Sequence, residues 1–209
     1  KNTSEIRFEY PVHELVDPAL DRNGYKIRQC PVPVHHYGLL ERSKVSQKGI
    51  YYYEIGKRKL DKMGNDPNAI YELAVGANLQ GDQKEAIRLW NRVAKLQPKN
   101  ARIFINLSAA YAKLGDYRKA KSSALKAVKI APKFKEGHYN LGRSEFFLGN
   151  FIEAQRIFEK IIRTDETSYS ARFMLGAAQL CCGNSEEAMA SFLRLKPLNI
   201  WSSLPHAFE

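Results

Sequence analysis

Apolar residues recur at three- and four-residue spacing through most of the chain after residue 48, which is the pattern of amphipathic helices. In residues 101–114, one face of such a helix would hold Phe104, Leu107, Ala110 and Tyr111. Gly115 and Asp116 then interrupt the pattern, and a second apolar face follows. A glycine break between two amphipathic stretches predicts two antiparallel helices joined by a tight turn.

This helical pair recurs with a fixed period of 34 residues. Four series of residues share the period: Gly81, Gly115, Gly149 and Gly183; Leu73, Leu107, Leu141 and Leu175; Ala86, Ala120, Ala154 and Ala188; and Pro98 and Pro132. We therefore predict four repeats, at 67–100, 101–134, 135–168 and 169–202, and a tail at 203–209. Because one helical pair cannot bury its apolar face alone, we expect neighbouring pairs to stack.

The period and the residue types at fixed positions resemble the tetratricopeptide repeat over residues 67–202. The resemblance implies an all-α fold, a solenoid of about four helical hairpins. A small strand and loop segment at 1–48 and a connecting helix at 49–66 would precede the solenoid. Alternating apolar and polar residues at 6–8 and 25–34, with prolines between them, predict the short strands.

In proteins with this repeat, the first helix of each pair lines a concave groove. The resemblance assigns positions two, five, nine, twelve and thirteen of each repeat to that groove. We expect a peptide-binding groove lined by Tyr71, Asn78, Arg102, Ile105, Lys113, Tyr139, Arg143, Phe146, Phe147 and Phe173. Aromatic rings would supply contact area for an extended peptide, and the cations would meet its acidic groups. For each single residue, packing between neighbouring helices is the alternative interpretation.

Chaperone-binding versions of the repeat carry a clamp of Lys and Asn side chains for a terminal carboxylate. In this chain Tyr71 and Val75 occupy two of the clamp positions, and Glu136 stands where a Lys belongs. We therefore expect that clamp to be absent.

The net charge of +11 is concentrated in one part of the chain. Residues 67–134 hold 13 basic and 4 acidic residues, against 12 and 9 before them and 8 and 9 after them. Most of these cations fall on the predicted second helices, where they form either a solvated face or a patch for an anionic surface. No zinc-finger, recognition-helix or RNA-binding aromatic motif accompanies them, so we expect no specific nucleic-acid partner.

The remaining composition favours a protein without a membrane span. No apolar run approaches the roughly 20 residues that cross a bilayer. Cys181 and Cys182 are adjacent and poorly placed to bridge each other, which leaves Cys30 as a possible partner for either one. Reduced thiols in a cytoplasmic protein are the expectation. Because both lie in an apolar helical stretch, we expect small buried side chains there.

Two strings near the start carry a second resemblance: IRFEYPVHELVDPAL at 6–20 and PVHHYGLLERSK at 33–44. With the Tyr-rich stretch and the repeats that follow, they are similar to the end of a bacterial inverting glycosyltransferase of the GT-A fold. The resemblance places His13, Glu14 and His36 near the cleft where acceptor and nucleotide-sugar meet. There a histidine would ligate a divalent ion, orient phosphate or bind acceptor. The alternative is that they are hydrogen-bonded loop residues without a chemical role.

A glycosyltransferase of this kind also needs a parallel-sheet domain, a paired-Asp metal motif and a catalytic base, and residues 1–209 offer no place for them. We therefore expect the chain to be the C-terminal part of a longer protein, which would use a nucleotide-sugar and a divalent metal. By itself the chain would hold no cofactor or metal and transfer no sugar. Its repeats would recruit a protein or glycan acceptor. The alternative is a stand-alone adaptor that binds a peptide in its groove.

Overall fold

The structure, a computed structural model, describes residues 42–195. This range forms nine helices and no strand, with bounds α1 (Arg42–Met63), α2 (Pro67–Gln80), α3 (Gln83–Leu96), α4 (Ala101–Lys113), α5 (Tyr117–Ile130), α6 (Lys135–Phe147), α7 (Phe151–Thr164), α8 (Tyr169–Cys181) and α9 (Ser185–Leu193). The predicted all-α class built from repeated helical hairpins is confirmed. The strands predicted at 6–8 and 25–34 lie outside the described residues.

The turns between paired helices fall on the periodic glycines. Gly81, Gly115, Gly149 and Gly183 have φ angles of 95°, 76°, 84° and 85°. Side chains with a Cβ atom rarely adopt this left-handed conformation, which explains why glycine recurs at the turn. Each of these turns reverses the chain, so α2 pairs with α3, α4 with α5, α6 with α7 and α8 with α9.

The other periodic residues form the contact between paired helices. The four leucines of the series are buried on α2, α4, α6 and α8. The four alanines are buried on the second helices, where a larger side chain would hold the helices apart. On α4, the Ser108 hydroxyl donates a hydrogen bond of 2.8 Å to the Ala120 carbonyl of α5. Such a bond requires close backbone approach at this alanine.

The chain divides into two compact units, Lys1–Leu96 and Gln97–Glu209. In the first, α1 packs antiparallel against α2 through glycines. A Cβ atom on Gly49 would lie 2.6 Å from the Gln80 backbone nitrogen, and one on Gly76 would lie 3.0 Å from the Tyr53 nitrogen. The Lys59 ammonium, itself buried, lies 2.7 Å from a Glu72 carboxylate oxygen. Small residues and one ion pair therefore fix α1 on α2.

The observed bounds of α1 differ from the connecting helix predicted at 49–66. The helix already includes residues 42–48, because no proline or turn signal separates them from the following helical pattern. It ends at Met63, since Gly64 has a φ of 65° and Asp66 caps α2. Residues 49–62 lie 34 positions before α3, so α1 includes the second-helix register of a preceding repeat. The division into domains at 48, 66 and 202 stays a prediction.

The second compact unit contains the pairs α4/α5, α6/α7 and α8/α9. An apolar cluster joins α7 and α8 through buried residues: Ala154, Phe158, Ile161, Ala171, Met174, Leu175 and Ala178. Between α5 and α6, the Lys121 ammonium lies 2.8 Å from a carboxylate oxygen of buried Glu145. The pairs thus contact their neighbours through apolar packing and one buried charge.

No helix within residues 42–195 combines the length and the apolar character needed to cross a bilayer.

Candidate peptide-binding surface

In the second compact unit, the first helices of the three repeats contact one another in the order α4, α6, α8. The Asn140 side-chain amide of α6 donates a hydrogen bond of 3.1 Å to the Ile105 carbonyl of α4. This register brings the thirteenth positions of three successive repeats, Lys113, Phe147 and Cys181, to equivalent places on neighbouring helices. These helices therefore carry a shared surface made from repeat-equivalent side chains.

Four aromatic rings form a continuous set at this surface, which we call the aromatic row: Tyr117, Phe147, Phe146 and Phe151. Tyr117 stacks on Phe147 with ring centroids 4.6 Å apart and planes 12° apart. Phe146 meets Phe147 edge-on at 5.4 Å and Phe151 edge-on at 5.3 Å. The Phe147 side chain nevertheless remains 51% exposed. A ring held from one side and open on the other is suited to contact a partner.

A second exposed ring lies on α8. Phe173 is 49% exposed, and its ring centroid lies 5.7 Å from that of Phe192. Leu180, near the end of the same helix, is also exposed. The apolar surface therefore continues from α6 onto α8.

An open pocket of about 560 Å³ lies beside the aromatic row, between the start of α7 and the end of α8. Its lining includes Phe151, Ile152, Cys181 and Cys182. The expectation that both cysteines are buried is wrong, since Cys181 is exposed and Cys182 is partly exposed. The reason is register, because Cys181 occupies the same repeat position as exposed Phe147. Both thiols are free.

Three cations lie on the helices α4 and α6 that carry this surface. Partial desolvation of the Lys113 ammonium, reinforced by the charge of nearby Arg143, lowers the pKa of this lysine. A cation disfavoured by its surroundings is stabilised by an added negative charge. Arg102, at the start of α4, is exposed. The surface is thus apolar with positive charge along α4 and α6.

Other predicted groove residues contribute to the core as well. Tyr139 and Phe146 are half-buried and pack against the α7/α8 cluster, with Tyr139 edge-on to buried Phe158 at 5.9 Å. Ile105 is half-buried. Neighbouring residues therefore cover part of each of these three side chains. Such coverage is what the alternative of packing between helices predicts.

The two predicted groove residues in the first compact unit, Tyr71 and Asn78, lie on α2 and are half-buried. Each makes further contacts within the chain. Their role in binding stays a prediction, as does that of every predicted groove residue.

The residues implied by the glycosyltransferase resemblance, His13, Glu14 and His36, lie outside the described residues. Among residues 42–195, His, Cys, Asp and Glu nowhere form a group of three or more that could hold a metal ion.

The sequence interpretation omitted several residues of this surface. Leu180 and Cys181 occupy positions twelve and thirteen of the fourth repeat, so the register rule itself identifies them. Tyr117 and Phe151 are the first residues of second helices, where that rule assigns no groove position. Only the coordinates place their rings beside Phe147 and Phe146.

Comparison with known proteins identifies the repeat. Three family models for the tetratricopeptide repeat match residues 78–115, 101–134 and 139–199, which together span more than half of the chain. No curated protein matches the chain in sequence.

Solved structures with the same architecture are similar at low sequence identity. MamA from Desulfovibrio magneticus RS-1 is 18% identical with a TM-score of 0.68, over 81% of this chain and 99% of that one. TTC0263, a thermophilic repeat protein of Thermus thermophilus, is 21% identical with a TM-score of 0.59, over 77% and 94%. The first repeat domain of Spaghetti (RPAP3), bound to the HSP90 peptide SRMEEVD, is 20% identical with a TM-score of 0.54, over 56% and 95%.

These likenesses concern the fold, and they agree with the 34-residue period, the positive-φ glycines and the three family matches. The chain is a tetratricopeptide repeat protein.

Proposed function

We propose that the chain is a protein-binding scaffold and that its second compact unit holds an extended segment of a partner protein. The observation that carries the proposal is the exposed ring of Phe147, held in place by Tyr117 and Phe146. Exposed aromatic side chains that are fixed before binding lose little conformational entropy when a partner covers them. Phe173 and Leu180 extend the same apolar contact along α8.

The charges along α4 and α6 favour one kind of partner segment. Desolvation lowers the pKa of Lys113, and the charge of Arg143 adds to this effect, so a carboxylate near the two cations would stabilise the charged lysine. We therefore propose a segment in which an apolar side chain lies near an acidic one. The apolar side chain would supply most of the affinity, and the acidic one would set the orientation.

A peptide selected from a displayed random library against the whole chain tests this proposal. We expect Phe147→Ala to weaken binding of the selected peptide by about 1–3 kcal/mol, the usual cost of removing an aromatic anchor. Tyr51→Ala is the matched control, since Tyr51 is an exposed ring on α1. The Tyr51→Ala chain should bind the peptide with the same affinity as the unmodified chain. Equal binding by the Phe147→Ala chain would contradict the proposal.

The terminal-carboxylate mode of recognition is a separate question. The structure of Spaghetti contains an HSP90 peptide, whereas Tyr71, Val75 and Glu136 occupy clamp positions in this chain. We propose that this chain recognises an internal segment. A selected peptide should therefore bind equally well with a free or an amidated C-terminus.

The strings at 6–20 and 33–44 favour a second candidate, in which the repeats recruit an acceptor for a glycosyltransferase in the same protein. The gene sequence upstream of Lys1 tests it. A GT-A domain with an Asp-x-Asp string is expected there, and its absence would leave the adaptor as the proposed function.

A further inference from the structure

Helix α5 carries a stripe of basic side chains on its exposed face. Within the helix, Arg118, Ser122, Leu125, Lys126 and Lys129 fall inside an arc of about 100° at 3.6 residues per turn. All five are exposed. Lys133, just beyond the helix, adds another exposed cation. We call these six residues the α5 stripe.

Within residues 42–195, the four cations of the α5 stripe form no ion pair within 4.0 Å. The charge of Arg118 does act on Asp116, where it helps to lower the pKa of the carboxyl after the larger effect of the hydrogen bond from Lys119. The nearby Asp116 carboxylate pairs with Lys119 instead, at 2.8 Å. The Lys126 ammonium lies 5.8 Å from the Phe104 ring, a contact that leaves its positive charge intact.

Helix α7 provides an internal comparison, because it occupies the same register one repeat later. Its Arg156 lies 3.7 Å from Glu153, and its Arg163 lies 3.9 Å from Glu159. Alternating signs of this kind are typical of a solvated helix face. Helix α5 replaces the two acids with Lys119 and Leu125. Simple solvation therefore explains the charges of α7 better than those of α5.

We propose that the α5 stripe docks the protein onto an anionic phospholipid surface. Three cations on one face of a helix, with a fourth just beyond its end, match a layer of negatively charged headgroups. Leu125 lies among them and is 47% exposed, and an apolar side chain inside a basic cluster is suited to the headgroup and acyl boundary. The stripe contains no aromatic residue for base stacking, which favours lipid over single-stranded nucleic acid.

The predominance of lysine over arginine in the stripe also favours lipid over nucleic acid. Three of the four cations are lysines, which act as point charges and lack the planar fork that gives arginine bidentate phosphate contacts. Recognition by point charges depends on surface charge density rather than on one ligand geometry. Binding should therefore weaken steeply as salt is added.

Co-sedimentation of the full chain with phosphatidylcholine vesicles containing about 30% phosphatidylserine tests the proposal. Each lysine near an anionic membrane contributes about fivefold in affinity, so Lys126→Gln with Lys129→Gln should weaken binding about 30-fold. The matched control is Lys160→Gln with Arg163→Gln, which removes the same charge at the equivalent positions of α7. Far-UV circular dichroism checks that both variants remain folded.

We expect the α5 variant to lose most of its affinity for the vesicles and the α7 variant to lose less than about threefold. Equal loss in both variants would overturn the proposal, since it would mean that net charge alone drives binding. Equal binding of the unmodified chain to pure phosphatidylcholine would overturn it as well. A short RNA duplex added as competitor tests whether the stripe binds nucleic acid instead of lipid. If the duplex binds more tightly than the vesicles and also depends on Lys126 and Lys129, the stripe is a nucleic-acid site and the lipid proposal is wrong.

Discussion

The contact between Lys121 and Glu145 offers a sharp test of what holds successive repeats together. The Glu145 side chain is only 7% exposed, and its carboxylate accepts hydrogen bonds from Lys121 at 3.1 Å and from the Asn150 amide at 2.8 Å. Lys121 lies on α5 and Glu145 on α6, so this network joins the second and third repeats. We predict that Glu145→Ala lowers the free energy of unfolding by about 2–3 kcal/mol.

The magnitude follows from opposing effects. At 2.8 Å and an effective dielectric constant near 20, the attraction between the charges is about 6 kcal/mol. Burying the carboxylate costs several kcal/mol, which offsets much of this attraction. Removing the acid also leaves the Lys121 ammonium without its partner. Because that side chain is 35% exposed, it recovers part of its hydration, so the loss stays below the usual 3–5 kcal/mol for fully buried pairs.

A double-mutant cycle isolates the pairwise contribution. The chains are Glu145→Ala, Lys121→Ala and the double variant, followed by urea unfolding with far-UV circular dichroism. We expect a coupling energy of about 1–2 kcal/mol. The matched control is the pair Lys135 and Asp165, which has a similar distance of 2.9 Å but greater exposure. Its coupling should be below about 0.5 kcal/mol. Equal coupling for the two pairs would refute the argument from burial.

Substitutions at Gly115 and Asp116 test the turn between α4 and α5, and Gly137 on α6 supplies a control. Gly115→Ala should cost about 1–2 kcal/mol, because an alanine at φ 76° is strained. Gly137→Ala, where an added Cβ atom meets Val128 at an ordinary 3.4 Å, should be neutral or stabilising in the same urea assay. Equal costs for the two would contradict the role of φ. At Asp116, the hydrogen bond and charge of Lys119 lower the pKa of the carboxyl below its ordinary 3.8. Asp116→Asn keeps a capping oxygen but removes this charge, so it should be less stable than the unmodified chain above pH 3.8. That difference should vanish as the pH falls through the lowered pKa, and a constant difference at all pH values would count against it.

The fold was predictable from sequence because each periodic residue has a local physical reason. Glycine at the turn is required by a positive φ, and alanine on the second helix by close helix approach. Both requirements act within one helical pair, so they repeat with the pair. The helical conformation of residues 42–48 was not predictable in this way, because they precede the first faithful repeat and carry no periodic signal.

The candidate surface was predictable only in part. Register assigns a side chain to a helix face, but it does not decide how much of that side chain the neighbouring helix covers. Tyr139 and Phe147 were both assigned to the groove, yet Tyr139 packs against the core while Phe147 remains half exposed. Tyr139 lies against the fully buried ring of Phe158 on α7, whereas Phe147 stacks on Tyr117 of α5, which is itself only partly buried. Such coverage depends on three-dimensional neighbours that no single repeat specifies.

The same reasoning identifies which substitutions test binding and which test folding. Phe146→Ala would remove a ring that packs against the core as well as against Phe147, so a loss of affinity would combine two causes. Phe173→Ala removes a half-exposed ring of α8 that contacts Phe192. Its effect on urea stability should be smaller than that of Phe146→Ala, because only about half of the Phe173 ring is taken from water on folding. A repeat protein separates these roles by position, since residues that recur in every repeat stabilise the stack. Residues that differ between equivalent positions, such as Lys113, Phe147 and Cys181, are free to determine which partner is bound.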